Sequence, residues 1–442
     1  MSSIIESANV NIAEKTFTRA SIDDLGNSVI MTDKDEATGL ELFCYVKCST
    51  DDNNLIHQCR GIVFHEKNIV MKAFPYTVEL SHTEKTQIEE KIGTIFNKCI
   101  FYDSYEGALI RMFNFNGRWF TSTHRKLNAF RSKWASKESF GTTFKRAIEC
   151  EVEVNSKLRD SLPNIGEGII ERFQSILDPL KQYMFLVLNN DDNRIVCSAP
   201  DRPSVYHVGT FVNSELVMNE NINIPYPKKH EFTSINQLID HVDKVNINNL
   251  QGVIIFAPNN KQYKIVNKEY QKLFGVRGNE PSVKYRYLQV RMDEDMVNNL
   301  YSLYPNMIHL FEEYENILYS IAQNIYNSYV DRFIKKKWVT VAVEEFNVIR
   351  ACHSFHEQDR KQNRISIKKV IDVLNEQTPT NLNKMIRRFK NEKLRPVEDE
   401  NKQESQPRAH SSTNQVLRNS NPIVKNKTRS FPPVEHKKTY QK

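Results

Sequence analysis

Two stretches carry enough cations to do chemistry on a polyanion. Lys335-Lys336-Lys337 runs into Trp338, and Lys384, Arg387, Arg388, Lys390, Lys393 and Arg395 crowd residues 384–395, where Glu392 is the single acid. On a helix, Lys384, Arg387 and Arg388 share one face at three- and four-residue spacing. A face like that can follow a line of phosphates, and it can equally be a solvated surface. Thr123-His124-Arg125-Lys126 adds a shorter basic patch. Cys352-His353-Ser354-Phe355-His356 brings a thiol and two imidazoles within about one helical turn, donors that zinc accepts. No carboxylate stands at metalloprotease spacing from His353 and His356, so the stretch reads as folded core or RNA contact, with no metal.

These groups need elements to hold them. A chain of 442 residues with 39% hydrophobic and 26% charged residues can build two or three cored domains, and at a net charge of +7 the placement of charge matters more than its total. No run approaches the ~18 uncharged apolar residues of a membrane helix. The start, MSSIIESANVNIAEK, lacks the basic and apolar regions of a signal peptide, which implies an intracellular chain. The seven cysteines are scattered and odd in number, without CxxC pairs, against both a disulfide framework and a structural zinc site. Short apolar runs at 61–64, 108–113, 118–123, 184–188 and 253–256 predict strands, and Asn116-Gly117 between two of them predicts a tight hairpin. A helical insertion is expected near 125–180. After residue 283 the apolar spacing turns helical, as in Phe311, Tyr314 and Leu318. Beyond it, Pro, Ser, Asn, Gln and charge leave too few apolar residues for a core. The expected fold is α+β: a largely antiparallel-sheet domain over 1–282, an all-helical, RNA-binding domain over 283–394, and a disordered basic tail over 395–442.

Several separated segments gain meaning together. Cys59-Arg60-Gly61-Ile62-Val63-Phe64 precedes Lys72-Ala73-Phe74; Ser104-Tyr105-Glu106-Gly107 and Thr123-His124-Arg125-Lys126-Leu127 follow. Then Phe185-Leu186-Val187-Leu188 leads to Asn193-Arg194-Ile195-Val196, and Gln251-Gly252-Val253-Ile254-Ile255 leads to Tyr263-Lys264-Ile265-Val266. In order and spacing these resemble the motifs of the covalent nucleotidyltransferases, specifically the phage-type RNA ligase family and its relatives in large cytoplasmic DNA viruses. The resemblance covers residues 55–270, and 284–390 look most like the viral members. It implies a nucleotidyltransferase, RNA-ligase-like fold in which a lysine attacks the α-phosphate of ATP. Ser104 stands at that lysine. A phosphoramidate has a leaving nitrogen that can be protonated, whereas a serine ester is a poor donor of AMP and its hydroxyl needs an adjacent base. Tyr102-Asp103 and Ala108-Leu109-Ile110 align without a gap, so Lys98 is the nearest upstream substitute. The positions that usually carry metal-holding glutamates are Leu186 and Gln251, and the second lysine of the last motif is Val266. Arg60, Gly61, Lys72, Phe74, Glu106, Gly107 and Lys264 match positions that bind the nucleotide. They read equally as scaffold, with Gly107 kept for its turn and Phe74 as core.

The resemblance implies a catalytically degenerate RNA-ligase-like protein. It would bind RNA, with RNA ends and tRNA as candidates, through Arg125, Lys126, Lys335, Lys336, Lys337, Lys384, Arg387 and Arg388, with a nucleotide as a further candidate ligand, and would require no cofactor. A second reading keeps an active ATP-dependent RNA ligase that joins or repairs ends through a non-standard lysine, with ATP and magnesium. A third makes the fold an interaction surface of a structural or assembly factor, partnered by proteins of a virus particle or transcription machinery. All three imply a cytoplasmic protein, virion-associated in the last, and none calls for a membrane.

Overall fold

The computed structural model describes residues 18–393 except 73, 165–167, 192–194 and 259, together with the backbone of 428–431. The chain divides between Pro281 and Ser282 into two units.

In the first unit the strands are β1 (Val29–Asp35), β2 (Leu40–Tyr45), β3 (Arg60–His65), β4 (Asn68–Met71), β5 (Thr77–Ser81), β6 (Ile100–Ser104), β7 (Ala108–Phe115), β8 (Arg118–Ser122), β9 (Gln182–Leu188), β10 (Ser204–Val212), β11 (Glu215–Val217), β12 (Lys229–His230), β13 (Gly252–Phe256) and β14 (Gln262–Val266). They form sheets ordered β1-β2-β3-β4, β11-β10-β9-β7-β8 and β12-β6-β13-β14-β5. Asn116 and Gly117 take φ of 51° and 78°, the paired positive values a tight hairpin demands, and they join β7 to β8 as the sequence predicts. Pairing is antiparallel except between β14 and β5, which run parallel. A parallel pair needs a long crossover, and here it takes everything between the two strands.

Residue alternation decides what each face of the third sheet meets. Phe101, Val253, Ile255 and Ile265 pack under the helices Lys85–Ile92 and Ile235–Asp243, with Ile88, Leu238 and Val242. Tyr102, Ile254 and Phe256 point the other way, into a core shared with Phe74, Phe113, Met184 and Phe211. A third cluster, including Ile110, Phe144, Phe173 and Phe185, lies beneath the helices Phe140–Val154 and Ile169–Ser175, the insertion expected between 125 and 180. Truncating a fully buried phenylalanine such as Phe185 costs roughly 3–5 kcal/mol, so these clusters dominate the unit's stability.

The second unit is built on the helices Val283–Val290, Glu294–Leu303, Ile308–Tyr329, Val343–Gln358, Ile367–Asn375 and Pro379–Lys393. Phe311, Leu318, Ile321, Ala322 and Ile325 form one buried stripe at three- and four-residue spacing. The all-helical expectation needs one correction. Strand β15 (Val339–Ala342) pairs antiparallel with β16 (Thr428–Phe431). β16 lies in the segment expected to be a disordered tail; the rest of 394–442 lies outside the described residues. Too few apolar residues forbids a core but not a strand, which needs only a free edge, and Val339, Thr340 and Val341 provide a β-branched one. No helix among the described residues is long and apolar enough to cross a membrane.

Candidate functional site

The third sheet delivers Ser104 to the end of β6, opposite Gly252 on β13. Ser104 is 4% exposed, its carbonyl accepts from the Gln251 amide at 2.8 Å, and its hydroxyl donates to Gln251 Oε1 at 3.4 Å. The chain then turns through Tyr105-Glu106-Gly107 into β7. At Gly107 a Cβ would stand 2.6 Å from the Val187 carbonyl oxygen on β9, so the close approach of the two strands requires glycine. Glu106 clamps the turn from the far side. Its carboxylate accepts from the amides of Ile195 at 2.6 Å, Val196 at 3.0 Å and Cys197 at 3.1 Å, and from the Tyr270 hydroxyl at 3.0 Å. Burial, with the Glu106 charge beside it, pushes the Tyr270 hydroxyl's pKa up and keeps it a donor.

A second clamp supports the opposite wall. Arg111, with no exposure, donates to the carbonyls of Gly61 and of Thr123, the latter at 2.5 Å. Burial lowers this guanidinium to about 9, and charge-assisted bonds to two carbonyls hold it. Gly61, at φ +90°, lets the His124 backbone approach; a Cβ there would meet its Cα at 2.6 Å. Burial first, then the charges of Arg60, Arg111 and Arg125, depress His124 to about 4, so this imidazole is neutral at pH 7.

Between these walls lies a cavity of about 680 Å³, within the size range of nucleotide and drug-sized ligand sites. It gathers Arg60, Phe74, Glu106, Gly107 and Lys264 of the expected nucleotide-binding positions, and Ser104, Leu186 and Gln251 of the altered ones. It does not gather Gly61, Lys72 or Val266. Lys72 instead donates from Nζ to the Ser214 carbonyl at 3.3 Å, and Val266 is 3% exposed in the sheet core. Phe74 packs at 5.9 Å from Phe211 and 5.6 Å from Phe256, so its ring belongs to the core as well as to the cavity wall. Lys264 is held by Glu79 at 2.6 Å across the β14–β5 pair. Arg60 reaches Thr77 Oγ1 at 3.3 Å, which donates onward to Gln262 Oε1 at 3.1 Å. The other end of that amide, Gln262 Nε2, is a buried donor with no protein acceptor.

Lys98 is exposed and does not line the cavity; Lys133 and Lys264 do. Sequence reasoning missed Lys133, Trp134 and Gln262, which lie in a loop or on a strand with no local motif. Asn193 and Arg194 lie outside the described residues.

The basic candidates separate too. Arg125 lines the cavity, while Lys126 pairs with Asp33 at 3.2 Å. In the second unit Arg388 is held by Glu344 at 2.9 Å and Glu345 at 3.3 Å, and Lys384 by Glu344 at 3.5 Å. Arg387 stays exposed. Lys335 pairs with Asp331 at 3.0 Å, whereas Lys336 and Lys337 project beside Trp338, 58% exposed. Cys352 is buried in the core, His353 stacks on Phe333 at 3.8 Å, and His356 Nδ1 donates to the Asn363 carbonyl at 2.8 Å.

No protein-family model matches the chain. An immediate-early protein ICP-46 homolog of Invertebrate iridescent virus 6 is 30% identical over 67% of this chain, and the match spans 66% of that relative. A protein of Autographa californica nuclear polyhedrosis virus, assigned as a bifunctional polynucleotide kinase/RNA ligase, is 23% identical over 47% of this chain and 29% of its own length. Among solved structures, an archaeal ATP-dependent RNA ligase is similar at a TM-score of 0.37 and 10% identity, covering 80% of this chain and 94% of that one. The chain's relatives are thus viral ICP-46 proteins and, more distantly, a viral protein of the RNA-ligase type.

Proposed function

We propose that this chain is an RNA-ligase-like protein that binds RNA, takes a nucleotide in the cavity beside Ser104, and does not join itself to AMP. The observation that carries the reading is the end of β6. A buried serine, tied to Gln251, stands where the resemblance calls for a lysine, and Leu186 across the cavity cannot hold a metal. Lys264 and Arg60 supply positive charge, Gln262 Nε2 supplies a donor without a protein acceptor, and Phe74 adds an aromatic edge. This suits a phosphorylated, aromatic ligand better than an apolar one. For RNA, support comes from the ligase-type relative and from exposed Lys336, Lys337 and Arg387, with Trp338 as a surface on which a base can stack. The helical domain is the RNA-contacting part, and the protein works in the cytoplasm.

The test is incubation of the full chain with labelled ATP and magnesium or manganese, followed by a denaturing gel. The expected result is nucleotide retained on native filters and no label on the denatured band. A denaturation-resistant adduct would sink the reading in favour of an active ligase needing ATP and a divalent ion, and its peptide map should point to Lys133 or Lys264, the lysines that line the cavity. Failure to retain either RNA or nucleotide would leave the assembly-factor reading, with viral proteins as the partners.

A further inference from the structure

The face of β6 opposite the cavity carries a constellation the ligase reading does not use. Strand alternation turns Asp103 away from Ser104 and toward the helix-covered side. There β12 pairs with β6, setting His230 opposite Phe101, and the His230 Nε2 comes within 2.7 Å of Asp103 Oδ1. The helix Ile235–Asp243 lays His241 over the same spot, its ring centroid 4.5 Å from that of His230. One ligand atom from each of Asp103, His230 and His241 lies within 4.8 Å of the others.

A hydrogen bond between His230 and Asp103 would by itself satisfy a buried carboxylate, and were that all, the cluster would be structural only. His241 argues otherwise. Its Nε2 is buried and has no hydrogen-bond partner in the protein, an arrangement that folding disfavours unless a ligand completes it. Phe232 stacks on His230 at 5.6 Å and 12°, fixing that ring's plane.

We propose that Asp103, His230 and His241 bind one zinc-like divalent cation, which ties β6, β12 and the helix Ile235–Asp243 together on the side of the sheet away from the cavity. Two imidazoles and one carboxylate are a borderline-soft set that suits zinc and disfavours magnesium and calcium, which take oxygen ligands. Zinc bonds of ~2.0–2.2 Å place tetrahedral ligand atoms about 3.3 Å apart. The His230–Asp103 contact therefore opens slightly on binding and His241 closes in, a side-chain adjustment only. The fourth position is left for water. Since Asp103 immediately precedes Ser104, the ion stiffens the strand that presents the cavity loop.

The full chain, stripped with a chelator and desalted, should be titrated with zinc against a chromophoric competitor and, separately, with cobalt while visible d–d absorption is recorded. One equivalent of zinc is expected, together with the intense bands of four-coordinate cobalt and no displacement by millimolar magnesium. His241→Gln and Asp103→Asn should each weaken zinc by more than the roughly 10- to 100-fold that loss of a supporting partner costs. A Cys352→Ser, His356→Gln chain should bind as the parent does. Zinc affinity unchanged in His241→Gln, an octahedral cobalt spectrum, or loss confined to the Cys352, His356 chain would each overturn the proposal. If Asp103→Asn fails to fold by circular dichroism, the parent cobalt spectrum and His241→Gln still decide.

Discussion

At the end of β6 the Ser104 hydroxyl is buried against Gln251, and the surroundings that would make a lysine useful there have changed with it. Leu186 offers no metal ligand, and the second cation of the last motif is replaced by Val266, 3% exposed in the sheet core. Ser104→Lys is therefore expected to yield no adduct with labelled ATP and manganese on a denaturing gel; robust adenylation of this variant would refute the argument. Gly107→Ala places a methyl 2.6 Å from the Val187 carbonyl and should lower stability by roughly 1–3 kcal/mol in a denaturant melt. Two histidines set an acid limit. His207 has no exposure, and burial depresses it to about 4, as burial and the neighbouring arginines do His124. Below an unfolded value near 6.5 the unfolded chain binds protons that the folded chain refuses, so stability is full above that pH and erodes as pH falls toward 4. Each group moved that far costs roughly 2 kcal/mol between pH 7 and pH 5. Thermal melts across that window should fall steadily, and His207→Gln should flatten the slope even if its absolute stability is lower.

The helix Pro379–Lys393 shows what a charge pattern leaves undecided. Its periodicity places Lys384, Arg387 and Arg388 on one face, yet Glu344 and Glu345 on the helix Val343–Gln358 claim Arg388, which is 14% exposed at its side chain. Arg388→Ala leaves two half-buried carboxylates without their cation and should cost roughly 2 kcal/mol or more, while Arg387→Ala should stay within about 0.5 kcal/mol of the parent. Urea melts of the full chain would separate them; equal effects would contradict the ion-pair assignment. The elements themselves were legible wherever their cause is local. The runs at 108–113 and 184–188 became β7 and β9, and Asn116-Gly117 became the hairpin, because alternation and turn chemistry act within a few residues. Nothing local announces that Glu79 lies beside Lys264, that Asp33 takes Lys126, or that residues 428–431 complete a ladder with β15. Those pairings are made by chain segments that meet only in the fold. The cavity was legible in part for the same reason. Arg60, Glu106 and Lys264 could be placed through a pattern of motifs, whereas Trp134 and Gln262 carry no pattern and Lys72 turned to a distant carbonyl.

For the chain as a whole, the RNA reading makes a claim about salt. If Lys336, Lys337 and Arg387 meet phosphates, the affinity for single-stranded RNA should fall linearly on a log–log plot against salt, by a slope of about 0.7 per phosphate contact. Reversing Lys336 and Lys337 to glutamate should reduce both affinity and slope without altering the melt; an unchanged slope would place the contact elsewhere. The parallel pair of β5 and β14 bears on how such a molecule comes into being. Glu79 and Lys264 are separated by 185 residues of chain, and β6 likewise waits for β13 before its inner edge is filled. During synthesis β5 and β6 leave the ribosome early and remain without those partners until nearly the whole first unit has been made. Strands that wait this long fold slowly and expose bare edges meanwhile. A released chain ending near residue 250 should accordingly be cut readily by protease within 77–104, and one ending past residue 281, which includes β13 and β14, should be protected there.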